Sequence, residues 1–196
     1  MRKISALLIA LLFLAAAPKA KAQEAYEEGD IILNAGITLG GYGYGYLGDR
    51  NFTIPITLSG EYGVHEYFSV GAMLGYARYS WDYSGYWGGW EYSATFISFG
   101  ARGSFHYLPL ANEYLDLDID SEKFDFYLSL FVGLENTSWK YDEAGDDFFD
   151  YNENDTDIRI GTFAGFKYMV NENFGLFLEG GPHAFGYLTL GASLTF

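Results

Sequence analysis

The chain of 196 residues contains no cysteine, which excludes disulfides and thiolate metal sites. Basic residues are scarce, with 11 Lys and Arg against 26 Asp and Glu. A nucleic-acid partner is therefore not expected, because affinity for a phosphate backbone rests on lysine and arginine. Long apolar runs are also missing. The one extended stretch, Ile4 to Ala17, falls short of the roughly 20 apolar residues a membrane helix needs, and no later stretch approaches that length.

Aromatic residues and glycine are in excess. Aromatics make up 20% of the chain and glycines number 25, well above the roughly 7% that is ordinary for glycine. An apolar content of 49%, laid out in a pattern, argues against low-complexity disorder. The amino terminus reads as a cleaved secretory signal peptide over residues 1–22: Met1-Arg2-Lys3 is basic, the apolar run follows, and Ala20-Lys21-Ala22 is an A-x-A site. Cleavage after Ala22 leaves residues 23–196 as one domain. It removes Arg2, Lys3, Lys19 and Lys21 and no acid, so the mature chain carries a formal charge of about −19.

The last ten residues, Tyr187 to Phe196, alternate. Successive side chains of a strand point to opposite faces. Leu188, Leu190, Ala192, Leu194 and Phe196 thus share one face, and Thr189, Gly191, Ser193 and Thr195 the other. One face suits lipid and the other a polar lumen. Seven further segments show the same period, giving strands at about 29–42, 52–64, 67–81, 92–108, 123–140, 157–170, 174–183 and 187–196. A chain without membrane helices satisfies its backbone in lipid only by closing into a barrel. The expected fold is all-β: an eight-stranded antiparallel up-and-down transmembrane β-barrel. A soluble barrel would put its apolar residues inside, and this pattern does the reverse.

Short turns at Val64-His65-Glu66 and Asn171-Glu172-Asn173 alternate with longer connections at 43–51, 82–91 and 141–156, as in barrels with short periplasmic turns and long extracellular loops. A fourth outer loop, Pro182 to Gly186, is short. The connection Pro109 to Glu122 breaks the rule, being periplasmic by count yet long and acidic. Its Tyr114 to Ile119 stretch alternates like a strand, which predicts a hairpin extending beyond the membrane or a shifted register.

The strand parity sends Glu61, Glu135 and Glu179, with Arg102, Arg159 and Lys167, into the lumen. Arg78 points outward near the rim, where a long side chain can snorkel. An eight-stranded interior is only just wide enough for its own side chains, so these three acids and three bases are expected to pair and, with inward Phe131, Phe163 and Phe177, to plug the barrel. A gate or proton path is the other reading of the same charges.

Loop one carries Tyr42, Tyr44 and Tyr46, and loop two carries Trp81, Tyr83, Tyr86, Trp87 and Trp90. Such aromatic, glycine-rich segments fit a binding surface or an aromatic girdle extended above the membrane. Loop three holds Asp146, Asp147, Asp150 and Asp155. Asp150-x-Asn152-x-Asn154 begins a calcium-loop spacing, but Asp155 stands where the turn glycine is required and Gly161 where the distal glutamate belongs. No metal centre or cofactor is expected. Weak divalent binding by these carboxylates, bridging to lipopolysaccharide, is the one metal reading left. The three histidines, His65, His106 and His183, are scattered along the chain, and no catalytic residues are assigned.

With the signal peptide, the eight alternating segments, Leu176 to Gly181 and the final Leu190 to Phe196, the chain resembles the small Gram-negative outer-membrane β-barrels typified by the OmpA transmembrane domain and OmpX. The resemblance implies a bacterial outer-membrane location, outer-membrane lipids as surroundings, and Phe196 as part of the signal read by the barrel-assembly machinery. It does not single out an activity. A non-enzymatic surface scaffold, meeting a host or cell-surface ligand through its loops, competes with a narrow channel or binding site for small hydrophobic molecules like that of the OmpW-like barrels. A lipid-A-modifying enzyme is a distant third: where the deacylases carry a serine two residues after the histidine, Phe185 follows His183. A closed barrel has no free edge, so a monomer is expected.

Overall fold

A computed structural model describes residues 24–39, 50–85, 88–143, 151–182 and 186–196. Period-2 alternation becomes eight antiparallel strands: β1 (Ile31–Leu39), β2 (Arg50–His65), β3 (Phe68–Gly85), β4 (Gly88–His106), β5 (Phe124–Glu143), β6 (Tyr151–Met169), β7 (Phe174–Gly180) and β8 (Leu188–Thr195). Each pairs with its chain neighbour, and β1 closes on β8 from Ile32↔Thr195 to Leu39↔Leu188, so the sheet is a closed barrel. Proline cannot donate to a ladder. Accordingly, the β2–β3 register shifts between Thr53 and Ile56, at Pro55. Among the described residues no helix is long and apolar enough to cross a membrane.

The outer wall is apolar, with Ile31, Leu33 and Ile37 of β1, Leu58 of β2, Leu74 of β3, Phe99 of β4, Leu128, Leu130, Val132 and Leu134 of β5, and Leu176 of β7 all exposed. At the short-turn end this wall finishes in a belt of outward rings. Phe68 lies 5.0 Å from Phe105, Tyr107 lies 6.2 Å from Phe126, and Phe126 lies 5.1 Å from Phe166. An apolar band edged by aromatics is the signature of a barrel set in lipid.

The wall is uneven in height. β1, β7 and β8 have 9, 7 and 8 residues, about what a tilted membrane strand needs. β3, β4, β5 and β6 have 18, 19, 20 and 19. The surplus lies at the long-loop end, where outward positions turn polar: Arg78, Thr95, Asn136, Ser138, Lys140, Asn154 and Thr156 follow the apolar band. A four-stranded blade therefore continues past the membrane. Much of the expected loop two is hairpin, paired down to Gly85↔Gly88, and Tyr151 to Thr156 of the expected loop three belongs to β6.

One expectation is corrected. Tyr114 to Ile119 forms no hairpin: Leu108–Leu115 is an α-helix, α1, with Pro109 in its first turn and Asp116 as a left-handed C-cap at φ 50°. Pro109 is pre-shaped for a helix start, Ala111, Glu113 and Leu115 are good helix formers, and no described strand lies opposite to pair with the alternating residues.

Candidate functional site

The lumen is filled in two storeys. In the lower one, nearer the short turns, Arg102 of β4 is buried between carboxylates of β2 and β7. Its guanidinium donates to Glu179 at 2.6 Å, and its Nε sits 2.8 Å from Glu61. That Nε–H is not aimed at the carboxylate, so the second contact is a Coulombic one. Hydroxyls complete the shell: Ser69 and Ser104 donate to Glu61 at 2.8 and 2.6 Å, and the Tyr127 hydroxyl donates to Glu179 at 2.9 Å. The Phe163 ring lies 4.9 Å from the guanidinium carbon, within cation–π range. A buried charge is tolerated only when paired and hydrogen-bonded, and each of these three ions is.

A second group abuts the first. Lys167 of β6 reaches Asp125 of β5 at 3.4 Å, and Asp125 also meets His106 Nδ1 at 2.9 Å. His106 Nε2 is 3.0 Å from Ser69 Oγ, linking the two groups. Below them the N-terminal segment folds across the barrel end. Tyr26 stacks on the His106 imidazole with centroids 3.5 Å apart and planes 1° off parallel, and its hydroxyl donates towards the carbonyls of His65 and Phe68. Burial among acids pushes the Tyr26 phenol well above its ordinary range, so it remains a neutral donor. The space left among Asn34, Glu61, Arg102, His106 and Lys167 is about 10 Å³, room for one water at most.

The upper storey is apolar. Met73, Ala77, Trp81, Ala94, Phe96, Phe131 and Phe163 form a buried cluster, with Tyr79, Tyr92 and Trp139 packed on it. Trp81 stands 5.4 Å from Tyr92, which stands 5.4 Å from Trp139. Trp81 is therefore core rather than part of an exposed loop surface, a correction to its sequence reading: β3 continues past it, and its parity turns it inward.

Glycines let the rings fit. A Cβ on Gly165 would fall 2.0 Å from the Tyr127 ring, and one on Gly191 2.4 Å from Phe177. Gly165→Ala is therefore expected to displace Tyr127 from Glu179 and to cost about 1–3 kcal/mol, read as a lower urea midpoint in lipid vesicles. An unchanged midpoint would mean that the ring moves freely.

The remaining sequence-selected residues fall elsewhere. Glu135, buried, pairs with half-exposed Arg159 at 2.8 Å, apart from the Arg102 group. Lys167 takes Asp125 as its partner instead of a glutamate. Asp125 and His106 share the inward parity of their strands, but spacing carries no signal that they join the network, and Tyr26 lies in a segment with no strand pattern at all. Asp155 is exposed, its carboxylate accepting from the Thr156 amide at 2.8 Å. No described group of three His, Asp or Glu is arranged to hold a metal. Tyr42, Tyr44, Tyr46, Tyr86, Trp87, Asp146, Asp147, Asp150 and His183 lie outside the described residues, as do the side chains of Tyr83 and Trp90. His65 closes β2, its Nδ1 accepting from the Tyr67 amide at 3.3 Å. Phe196 exchanges backbone hydrogen bonds of 3.0 Å with Ile31 at the closing seam.

No protein-family model and no curated protein matches this sequence. Solved structures do. Ail, the attachment invasion locus protein of Yersinia pestis, superposes in its complex with the heparin analogue sucrose octasulfate at a TM-score of 0.53 and 15% identity, over 86% of this chain and 99% of that one. Ail on its own gives 0.51 and 16%, over 86% and 99%. The outer membrane protein OprG of Pseudomonas aeruginosa gives 0.51 and 14%, over 87% and 97%. At these identities the likeness is one of fold, and the chain's own apolar band and aromatic belt agree with it: this is an eight-stranded transmembrane β-barrel, folded like the outer-membrane proteins Ail and OprG.

Proposed function

We propose that the protein is a non-enzymatic surface scaffold whose barrel anchors and seals, and whose work is done by what it holds outside the membrane. The observation that carries this reading is the filled lumen. An Arg102–Glu61–Glu179 group below and an aromatic cluster above occupy the described lumen. The four-stranded blade is the platform on which the outer loops are displayed, and lipopolysaccharide and a host or cell-surface molecule are its proposed contacts. Assembly through the Phe196 signal, export through a cleaved leader of residues 1–22 and a monomeric state belong to the same proposal.

Ser69, His106 and Asp125 have the connectivity of an acyl-transfer triad, which raises the enzymatic alternative. Their surroundings oppose it. The Ser69 hydroxyl also donates to Glu61, whose carboxylate would repel a developing oxyanion instead of stabilising it. The lumen space beside His106 and Asp125 is about 10 Å³, too small for a substrate. The cleft of about 600 Å³ that Ser69 lines opens among the outward Phe68, Val70, Phe105, Leu128 and Leu130 and includes neither of those two residues. The three residues brace the lumen.

Ail was solved with a polysulfated ligand. For the present chain a polyanion is disfavoured, because residues 140–159, the outer part of the β5–β6 pair, carry Asp142, Glu143, Asp146, Asp147, Asp150, Glu153, Asp155 and Asp157 against Lys140 and Arg159. A cationic or ring-stacking partner fits that surface better.

Single-channel recording in planar bilayers tests the sealed scaffold. The refolded wild type is expected to be silent, with leak appearing in Arg102→Ala and Glu179→Ala. Steady wild-type conductance would overturn the sealed lumen and favour the conduit reading.

A further inference from the structure

The β4–β5 connection spans residues 107–123, whereas the other short-turn-end connections within the barrel are the Glu66-Tyr67 turn and the Val170–Asn173 bend. It presents a compact apolar tip: Tyr114 is 76% exposed, Leu115 66% and Leu117 41%. Contiguous exposed apolar side chains of this size need an explanation, and an exposed tyrosine on an ordered support, flanked by apolar side chains, is the kind of group that anchors the buried centre of an interface.

The tip is held in shape. The Asn112 side chain bridges the turn, donating to the Ile119 carbonyl at 2.8 Å and accepting from its amide at 3.4 Å. Asp116 terminates α1 in the left-handed conformation. The Ala25 amide donates to the Ser121 carbonyl at 2.7 Å, fastening the N-terminal segment to the same connection. A surface already ordered before binding loses less entropy on association.

Charge selects the occupant. Glu113, Asp116, Asp118, Asp120 and Glu122 interleave with the apolar residues, and Lys123 is the one base among residues 107–123. Lys123 is engaged by Asp120 at 2.8 Å, which holds the Asp120 carboxyl below its usual range. The other four carboxylates surround the tip. A lipid surface does not suit this arrangement: interfacial helices carry lysine and arginine on their polar face, and α1 has no basic residue.

We propose that this tip is a docking surface, on the periplasmic side, for a soluble protein that offers an apolar pocket rimmed by lysine or arginine. Tyr114, Leu115 and Leu117 enter the pocket and Glu113, Asp116 and Asp118 meet the rim. The site is independent of the loops at the opposite end, so the proposal goes beyond the scaffold reading.

The test uses the mature protein in nanodiscs of zwitterionic phospholipid and, as probe, a synthetic amphipathic peptide of alternating lysine and leucine with one tryptophan. Binding is followed by fluorescence anisotropy. Saturable binding that weakens with salt is expected. The triple variant Tyr114→Ser, Leu115→Ser, Leu117→Ser, whose net charge is unchanged, is expected to bind at least tenfold more weakly, as is Asp116→Asn with Asp118→Asn. Heat-shifted gel mobility checks that each barrel is intact, and all five positions are exposed. Equal binding by wild type and the serine variant would reduce the effect to generic attraction for an acidic protein and overturn the proposal, as would no binding at all. Quenching of a Leu115→Trp variant by brominated phospholipid would overturn it in favour of the membrane.

Discussion

Arg102→Ala is expected to be the most damaging single substitution in the lumen, lowering the unfolding free energy by about 3–5 kcal/mol. The reason is the fate of its partners. Glu61 and Glu179 are each almost fully buried, and both approach the same guanidinium. Removing the cation leaves two carboxylates facing each other in a confined space, where water reaches them only by opening the barrel. Urea titration in lipid vesicles, followed by gel mobility and tryptophan emission, measures the loss. Replacing all three ions together, Arg102→Met with Glu61→Gln and Glu179→Gln, is expected to cost much less than Arg102→Ala alone. Isosteric neutral groups need no counter-charge, and a buried ion pair is worth little against a well-packed neutral replacement. A cost below about 1 kcal/mol for Arg102→Ala would mean that the site is hydrated, as an exposed pair would be.

The non-additivity between those variants also separates sealing from stability. If the ions were retained only for stability, the neutral triple variant would be as silent in a bilayer as the wild type. A leak in a triple variant that stays folded would show that directional pairing closes the lumen, because a guanidinium fixed by two carboxylates cannot swing aside as a methionine side chain can.

Parity made most of this fold legible from sequence. A one-residue slip in any strand would carry its charges into lipid, so Glu61, Arg102, Lys167 and Glu179 each fix the register of their strand, and all four are buried in the barrel interior. What parity cannot give is height or partner. Lys167 and Glu179 face the same lumen, yet Lys167 meets Asp125, because pairing depends on how far each residue stands along a tilted strand. The strands β3, β4 and β6 run longer than their periodicity suggests for a related reason: Trp81 to Gly85 and Gly88 to Trp90 are rich in aromatics and glycine, and Tyr151 to Thr156 is rich in Asn and acids, all of which read as loop, while the cross-strand pairing that extends them is non-local. Leu115-Asp116-Leu117-Asp118 alternates without being a strand, since alternation stabilises nothing where no neighbouring strand presents its edge. Tyr26 was illegible because a single ring stacked on a distant imidazole leaves no periodic trace.

The second large effect concerns the outer wall. Leu130 lies on the lipid face of β5, opposite Gly103 of β4 and Thr162 of β6, near the middle of the apolar stretch Leu128 to Leu134. Leu130→Arg is expected to cost about 2–4 kcal/mol, the penalty for a cation at mid-bilayer on a barrel exterior. Ser138 has the same parity eight residues further along the same strand, between Thr95 and Asn154. Ser138→Arg is expected to stay within about 0.5 kcal/mol of wild type, the ordinary range for a surface substitution. The two variants have the same strand, outward direction and added charge, so their difference isolates depth in the membrane. Equal costs would place the whole of β5 in one medium and remove the extramembrane blade. A neutral Leu130→Arg would remove the lipid face itself, since in water an exposed arginine beside Gly103 displaces nothing. A large cost at Leu130 alone fixes the boundary between these positions on β5, at the point where the outward residues change from Leu134 to Asn136.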